Sequence, residues 1–470
     1  MLIRRAHLED GRVTDVRVEQ EAITAIGHLD PLPTETILDA RGGLLLPGLH
    51  DHHIHVAALA TSLTSVRCGP PEVMDARTFA ARLGVAGSGW LRATGYHESV
   101  AGMLDAAMLD RIVPDRPVRV QHRSGRMWFF NSAGLETVLA KRTPPPGLER
   151  DGDRYTGRLF DADAWLQQAL GSEPPSFAAV GAMLAQAGVT GLTEMSPANG
   201  AFIARHFAAE TTSRSLPQNV LLAGNLSLTE ADATSRVQLG PAKLHLHEAN
   251  LPSLDVSADF MRHAHERGRS VAIHCATEVE LIYALAALDT AGAEPGDRIE
   301  HASVAADSAV AEIARLGLAV VTQPHFIHER GDAYLTDVEE DARPLLYRLR
   351  AFLDAAVPMA GGSDAPFGGC DPWAAMAAAV SRRTRQGVVM SASEALTPEE
   401  ALDLYLRAPT AIDRRRRVAV GMPADLCLLD RPWAQARLDL SSTHVRATII
   451  HGRLAFDRAA ELPGVARSPR

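Results

Sequence analysis

Residues 49–58 read LHDHHIHVAA and place His50, His52, His53 and His55 within six positions. Imidazole is the side chain that proteins most often give to a transition metal. Side chains two apart on a strand share a face, which splits the four into the pairs His50/His52 and His53/His55. The second pair lies nearer the following loop and is the better placed to reach a site beyond the strand end. Asp51 and His52 then face the wall or stand behind the ligands, where a carboxylate could orient a ligand imidazole. Three more ligand-type residues close apolar runs further on: His274 ends VAIH, His301 ends RIEH after Glu300, and Asp364 follows VPMAGG and Ser363. One such histidine is usually a hydrogen-bonded loop residue. Three at equivalent places, with a histidine cluster upstream, point to one site.

Elements that could bring these residues together follow from the periodicity. From about residue 176 the chain alternates helix-like stretches with short apolar runs, as βα units and a parallel sheet require. SADFMRHAHERG, TEVELIYALAALDTAG and DSAVAEIARLG read as helices, stopped at Gly268, Gly292 and Gly317, the last capped by Asp307. RSVAIHCA, DRIEHASV and LAVVTQPH read as the strands between them. YRLRAFLDAAVPMAGGSDAP repeats the pattern once more, and four such repeats predict an α/β fold, a (β/α)8 TIM-like barrel, with an open doubly wound sheet as the alternative. In such a barrel the chemistry sits at the C-terminal ends of the strands. Both ends of the chain read instead as short strands broken by turns, predicting a small β-sandwich from residues 1–48 and 413–470 around a barrel of 49–412. Between about 57 and 175 the repeat is irregular, with proline-rich breaks at Thr143–Gly147 and Ser172–Ser176, and reads as an insertion. Its Trp128, Phe129 and Phe130 read as core.

With 470 residues, 46% hydrophobic and 22% charged, and a net charge of −10, the composition is that of a soluble globular protein and gives no sign of a nucleic-acid partner. The basic run at Asp413–Val418 reads as a solvated helix end or loop. Four scattered cysteines form no metal or disulfide pattern, and no stretch of about 18 apolar residues or signal-peptide core is present, so a cytoplasmic, membrane-free protein is expected.

Taken in order, PGLHDHHIH, AIHC, RIEHA and GGSDAP resemble the amidohydrolase superfamily. GYHES, RPVRVQHRSGRMWFFNSAGLE, TGRLFD, EALDLYLRAPTAI and GMPADLCLLD narrow the resemblance to amidohydrolase family 3, the branch of N-substituted formamide deformylase-like and YtcJ-like hydrolases, over nearly the whole chain. The resemblance implies a divalent metal centre held by His53, His55, Lys243, His274, His301 and Asp364, with two metals bridged by a carbamate on Lys243. Composition supports that lysine independently. Of 47 basic residues only Lys141 and Lys243 are lysines, and a buried lysine can lose its proton and add carbon dioxide where arginine cannot. Glu194 is the competing bridge. Zinc is the default metal, with iron, manganese and nickel compatible.

The implied chemistry is attack of metal-activated hydroxide on the carbonyl of an amide or related C–N bond of a small molecule, with Asp364 as general acid–base. Substrate contacts are expected from His122, Arg126, His245 and His325. Arg126 would favour an anionic substrate or else pair with a local carboxylate. His247 stands where the branch often has aspartate. The alternatives are a mononuclear member acting as a deaminase, lyase or isomerase, and a non-catalytic scaffold, against which every ligand is present. A homodimer is the default assembly.

Overall fold

Helix punctuation in the sequence carries through to the computed structural model, which describes residues 1–85, 87–171 and 174–458. Thr277 and Glu280 form a capping box that starts the helix Glu278–Ala291, and Gly292 stops it. Gly268 and Gly317 follow the helices Leu254–His265 and Asp307–Arg315 with φ of +68° each, a conformation that costs glycine nothing. Asp307 is the first helical residue rather than the cap. Ala306 takes the cap position, and the Asp307 carboxylate pairs with Arg348.

The buried runs between these helices form eight parallel strands: β1 (Leu49–Ile54), β2 (Val189–Glu194), β3 (Asn219–Gly224), β4 (Val237–His245), β5 (Val271–Cys275), β6 (Arg298–His301), β7 (Ala319–Thr322) and β8 (Met359–Gly361). Each pairs with its sequence neighbour from β1 to β8 in one sheet. The ends of that sheet meet: the Asp364 amide donates to the His53 carbonyl (2.7 Å), and the His55 amide to the Ala365 carbonyl (2.9 Å). The result is a nearly closed (β/α)8 barrel. A Cβ on Gly362 would lie 2.5 Å from the His53 Cβ and 2.7 Å from its nitrogen, so only glycine lets the end of β8 approach β1 this closely.

Two four-stranded sheets make the sandwich. One holds Leu2–His7, Val13–Glu19, Ala22–Gly27 and Ile37–Asp39; the other holds Leu45–Pro47, Leu426–Leu429, Val445–Ile450 and Arg453–Asp457. Ile3, Val16, Leu38, Leu45, Leu426 and Ile449 share its buried core. Residues 459–470 of the expected terminal domain lie outside the described residues. The basic run is not solvated throughout. Arg415 pairs with Asp403 and Glu9, and half-buried Arg416 donates to the carbonyls of Tyr405 and Arg407.

The chain divides into two compact units, Met1–Val56 with Ser176–Arg470, and Ala57–Pro175. The second unit holds a six-stranded mixed sheet, in spatial order Leu148–Asp151, Arg154–Phe160, Met127–Phe130, Val118–His122, Leu91–Tyr96 and Val66–Arg67. Trp128, Phe129 and Phe130 are buried within it. Thr143–Gly147 is a loop, and of the break at Ser172–Ser176, Ser172 and Glu173 lie outside the described residues. Among the described residues no helix is long and apolar enough to cross a membrane, and the four cysteines are unpaired.

Candidate active site

Five strands deliver side chains to one end of the barrel. His53 lies near the end of β1, and His55 follows it. The Nε2 atoms of the two lie 3.4 Å and 3.2 Å from the same oxygen of Asp364, which follows β8. His301, the last residue of β6, has its ring 4.8 Å from that of His53 and 4.5 Å from that of His274 on β5. Donor atoms of His53, His301 and Asp364 all lie within 4.8 Å of one another. Lys243 on β4 is 4% exposed, and its Nζ has no hydrogen-bond partner among the described residues.

The backbone aims these groups. His301 and Asp364 have φ of +70° and +52°, left-handed values that cost a non-glycine residue about 1–2 kcal/mol. In a regular pleat His301 would face away from Glu300; the left-handed turn ends the pleat there. A register irregularity between β1 and β2, from Asp51 opposite Leu192 to Ile54 opposite Glu194, breaks the alternation of β1 as well.

Imidazole tautomers are set by partners on Nδ1. His53 Nδ1–H donates to Glu300 (2.5 Å) and His301 Nδ1–H to the side-chain oxygen of Gln323 (2.8 Å). Each ring therefore keeps the Nε2 lone pair that a metal needs. Burial pulls the pKa of His53 down to about 3, against the opposing pull of Glu300, and lowers those of His274 and His301 as well. All three imidazoles are neutral at pH 7. Burial alone would raise Glu300 and Asp364, yet both are held below the usual carboxylate range. Arg298, His53 and Lys243 outweigh burial at Glu300; the hydrogen bond from His55 and the nearby imidazoles do so at Asp364. Burial draws Lys243 down to about 8.

The donor set, neutral imidazoles around an ionised carboxylate with an unpartnered buried amine beside them, fits a divalent ion bound through nitrogen and oxygen. Lone buried polar nitrogens are rare without a function or a missing partner.

Other expected residues fall differently. Glu194 ends β2, but its oxygens accept from the amides of Val56 and Ser196 and from the Asn199 side chain (2.6, 3.0 and 3.3 Å). Its lone pairs are engaged in holding loops. His325 is buried, and its Nε2–H donates to the carbonyl of Ser363 at 3.0 Å, so that nitrogen supports the Asp364 loop instead of facing a substrate. His245 is exposed and stacks on His274 at 4.3 Å, with exposed His247 edge-on to it at 4.5 Å. His122 and Arg126 belong to the second unit. There His122 contacts Glu98 and Arg126 forms a two-pronged pair with Asp161 (2.7 and 2.6 Å).

Asp51 does not orient a ligand imidazole. It accepts from the amides of His53 and Ser363 (3.1 and 2.9 Å), tying β1 to the loop after β8. His50 contacts Thr193, and both ring nitrogens of His52 are buried without a hydrogen-bond partner among the described residues. The orienting carboxylate is Glu300, which the sequence reading passed over. It has no solvent exposure, and it also accepts from Arg298 at 2.6 Å. The signal was available: opposite charges two apart in a buried four-residue strand share a face and must pair.

A model of the amidohydrolase family matches residues 36–456. The chain belongs to that family. Among relatives of this amidohydrolase, the N-substituted formamide deformylase of Arthrobacter pascens is 27% identical, over 95% of this chain and 94% of its own. In structure the amidohydrolase resembles an uncharacterized metal-dependent hydrolase of Pyrococcus horikoshii, with a TM-score of 0.77 at 19% identity, over 94% of this chain and 99% of that one. It also resembles the zinc-complexed atrazine chlorohydrolase of Arthrobacter aurescens, with a TM-score of 0.57 at 14% identity, over 99% and 97%. At these identities the structural likeness shows a shared fold. Family membership makes the protein a hydrolase.

Proposed function

We propose that this amidohydrolase cleaves an amide or related C–N bond of a small molecule, with His53, His55, Lys243, His274, His301 and Asp364 holding two divalent ions, zinc by default. One observation carries the reading: His53, His301 and Asp364, spread over some three hundred positions, bring donor atoms within 4.8 Å of one another, and the buried, unpartnered amine of Lys243 lies close enough for Glu300 and Asp364 to act on its charge. The relative's activity as an N-substituted formamide deformylase supports the bond type.

A divalent ion at such a site acidifies water and polarises a carbonyl. The chain's own groups do the rest. Asp364, held ionised and 3.2 Å from His55 Nε2, accepts a proton from the attacking water and passes it to the leaving nitrogen. Neutral Lys243 adds carbon dioxide at Nζ with loss of one proton, giving a carbamate that presents two oxygens where the amine had none. Glu300 and Gln323 keep the His53 and His301 rings from turning. His245, exposed and stacked on His274, is the side chain offered to a substrate. Two ions are expected at the barrel cluster by elemental analysis, falling to one there in Lys243→Ala.

Asp364→Asn should lower kcat by at least about 10²-fold while leaving metal content largely intact. Turnover within about tenfold of wild type would exclude the role given to Asp364. The assay is a screen of N-formyl amines, N-acyl amino acids, cyclic imides and lactams, read as release of the amine from the open-chain substrates and as ring opening of the cyclic ones. The protein is taken to act in the cytoplasm, as a homodimer by default.

A further inference from the structure

The second unit contains a repeated motif that the barrel chemistry does not use. Its parallel strands Leu91–Tyr96 and Val118–His122 are adjacent, with Tyr96 opposite His122. Each leads into the same three-residue pattern, His97-Glu98-Ser99 and His122-Arg123-Ser124. In both copies the serine hydroxyl lies 2.8 Å from Nδ1 of the histidine, and the serine amide donates to the same nitrogen at 3.3 and 3.2 Å. The two rings sit at the C-terminal ends of these neighbouring strands with centroids 5.8 Å apart, tilted by 30°. Both present Nε2 to a single oxygen of Glu98, at 3.5 Å from His97 and 2.9 Å from His122. Three donor atoms from three residues therefore lie within 4.8 Å of one another.

We infer that His97, Glu98 and His122, none of them a member of the barrel cluster, form a second metal site for a zinc-class divalent ion. The donors are two imidazoles and one carboxylate, a set that suits zinc, cobalt or nickel and not the oxygen-seeking magnesium or calcium. The imidazoles are sheltered, at 21% and 12% side-chain exposure, while Glu98 is 49% exposed, so solvent can complete the coordination. The serines give the site its adaptability. A hydroxyl both donates and accepts, so it can donate to Nδ1 while Nε2–H bonds Glu98, or accept from Nδ1–H while Nε2 turns its lone pair to an ion. The exchange gives up the long bond from each serine amide to Nδ1 (3.3 and 3.2 Å), and the hydroxyl then orients each ligand ring in the way that hydrogen-bonded outer groups do at protein metal sites. An ion there would tie the ends of two adjacent strands.

The test uses the full-length chain without a histidine tag, stripped by chelator and titrated with Co²⁺ and Zn²⁺. Ions bound per chain are counted by elemental analysis, and the Co²⁺ absorption bands are followed. The expected result is one equivalent fewer in His97→Ala/His122→Ala than in wild type. Asp364→Asn, which alters only the barrel cluster, should retain that equivalent. Glu98→Gln keeps the side-chain shape, so it reports even if the double variant fails to fold; it should weaken the same equivalent by at least tenfold. Binding of wild-type number and affinity in Glu98→Gln, or in a folded double variant, overturns the inference.

Discussion

Glu300 stands between Arg298 and His53 with no exposure to solvent, accepting from Arg298 Nε–H at 2.6 Å and from His53 Nδ1–H at 2.5 Å. A buried carboxylate so placed does two things: it fixes which nitrogen of His53 is free, and it raises the basicity of that nitrogen. Glutamine keeps the shape and can accept one bond, but it loses the charge that Arg298 faces. Glu300→Gln should therefore weaken metal binding by about 10–100-fold, read by competition with a chromophoric chelator. Unchanged affinity would mean that the His53 ring is held by packing alone. His325 makes a contrasting case, since its bond to the Ser363 carbonyl lies one residue before Asp364. Its substitution acts through the loop that carries Asp364.

Strand ends do the aiming at the next scale up. β8 is short, Met359–Gly361, and ends against β1 where Gly362 meets His53. The Asp51 carboxylate adds a side-chain tie across the same seam by accepting from the Ser363 amide at 2.9 Å. A methyl at position 362 would strike backbone atoms of His53, which cannot swing aside as a flexible side chain could. Gly362→Ala is expected to cost about 1–3 kcal/mol of stability, the usual range for overpacking, seen as a lower urea midpoint. Metal content should fall with it, because the displaced residue is itself a ligand candidate. A variant of wild-type stability and metal content would show that β1 and the end of β8 have slack. Left-handed backbone at His301 and Asp364 belongs to the same scale: the regular strand geometry stops where these side chains turn toward the cluster.

For the molecule as a whole, burying an amine makes stability depend on pH. Lys243 is drawn from its ordinary 10.5 to about 8 by desolvation. Between those values the unfolded chain binds more protons than the folded one, so stability rises with pH across that window. Below about pH 8 both states hold the proton and the penalty is full. In metal-free protein kept free of carbon dioxide the rise should reach at most about 3 kcal/mol between pH 8 and 10.5. Denaturant titrations at several pH values measure it, and Lys243→Met should flatten the slope. Equal slopes in the two proteins would place the lysine amine in contact with water.

The sequence by itself determined the barrel. Alternating apolar runs and glycine-stopped helices are local signals, and a run too apolar to face water must become a strand covered on both sides. The types and order of His53, His55, His274, His301 and Asp364 were legible for the same reason, as polar groups ending apolar runs, and the scarcity of lysine drew attention to Lys243. What only the tertiary structure decided was parity and partnership. The irregular register of β1 and the left-handed turns at His301 and Asp364 reset which face a side chain takes, and strand period alone carries no trace of either. The partners of Glu300, Glu194 and Asp51 come from residues 2 to 312 positions away. A carboxylate's role depends on which donors surround it in space, and that is fixed only when the strands close.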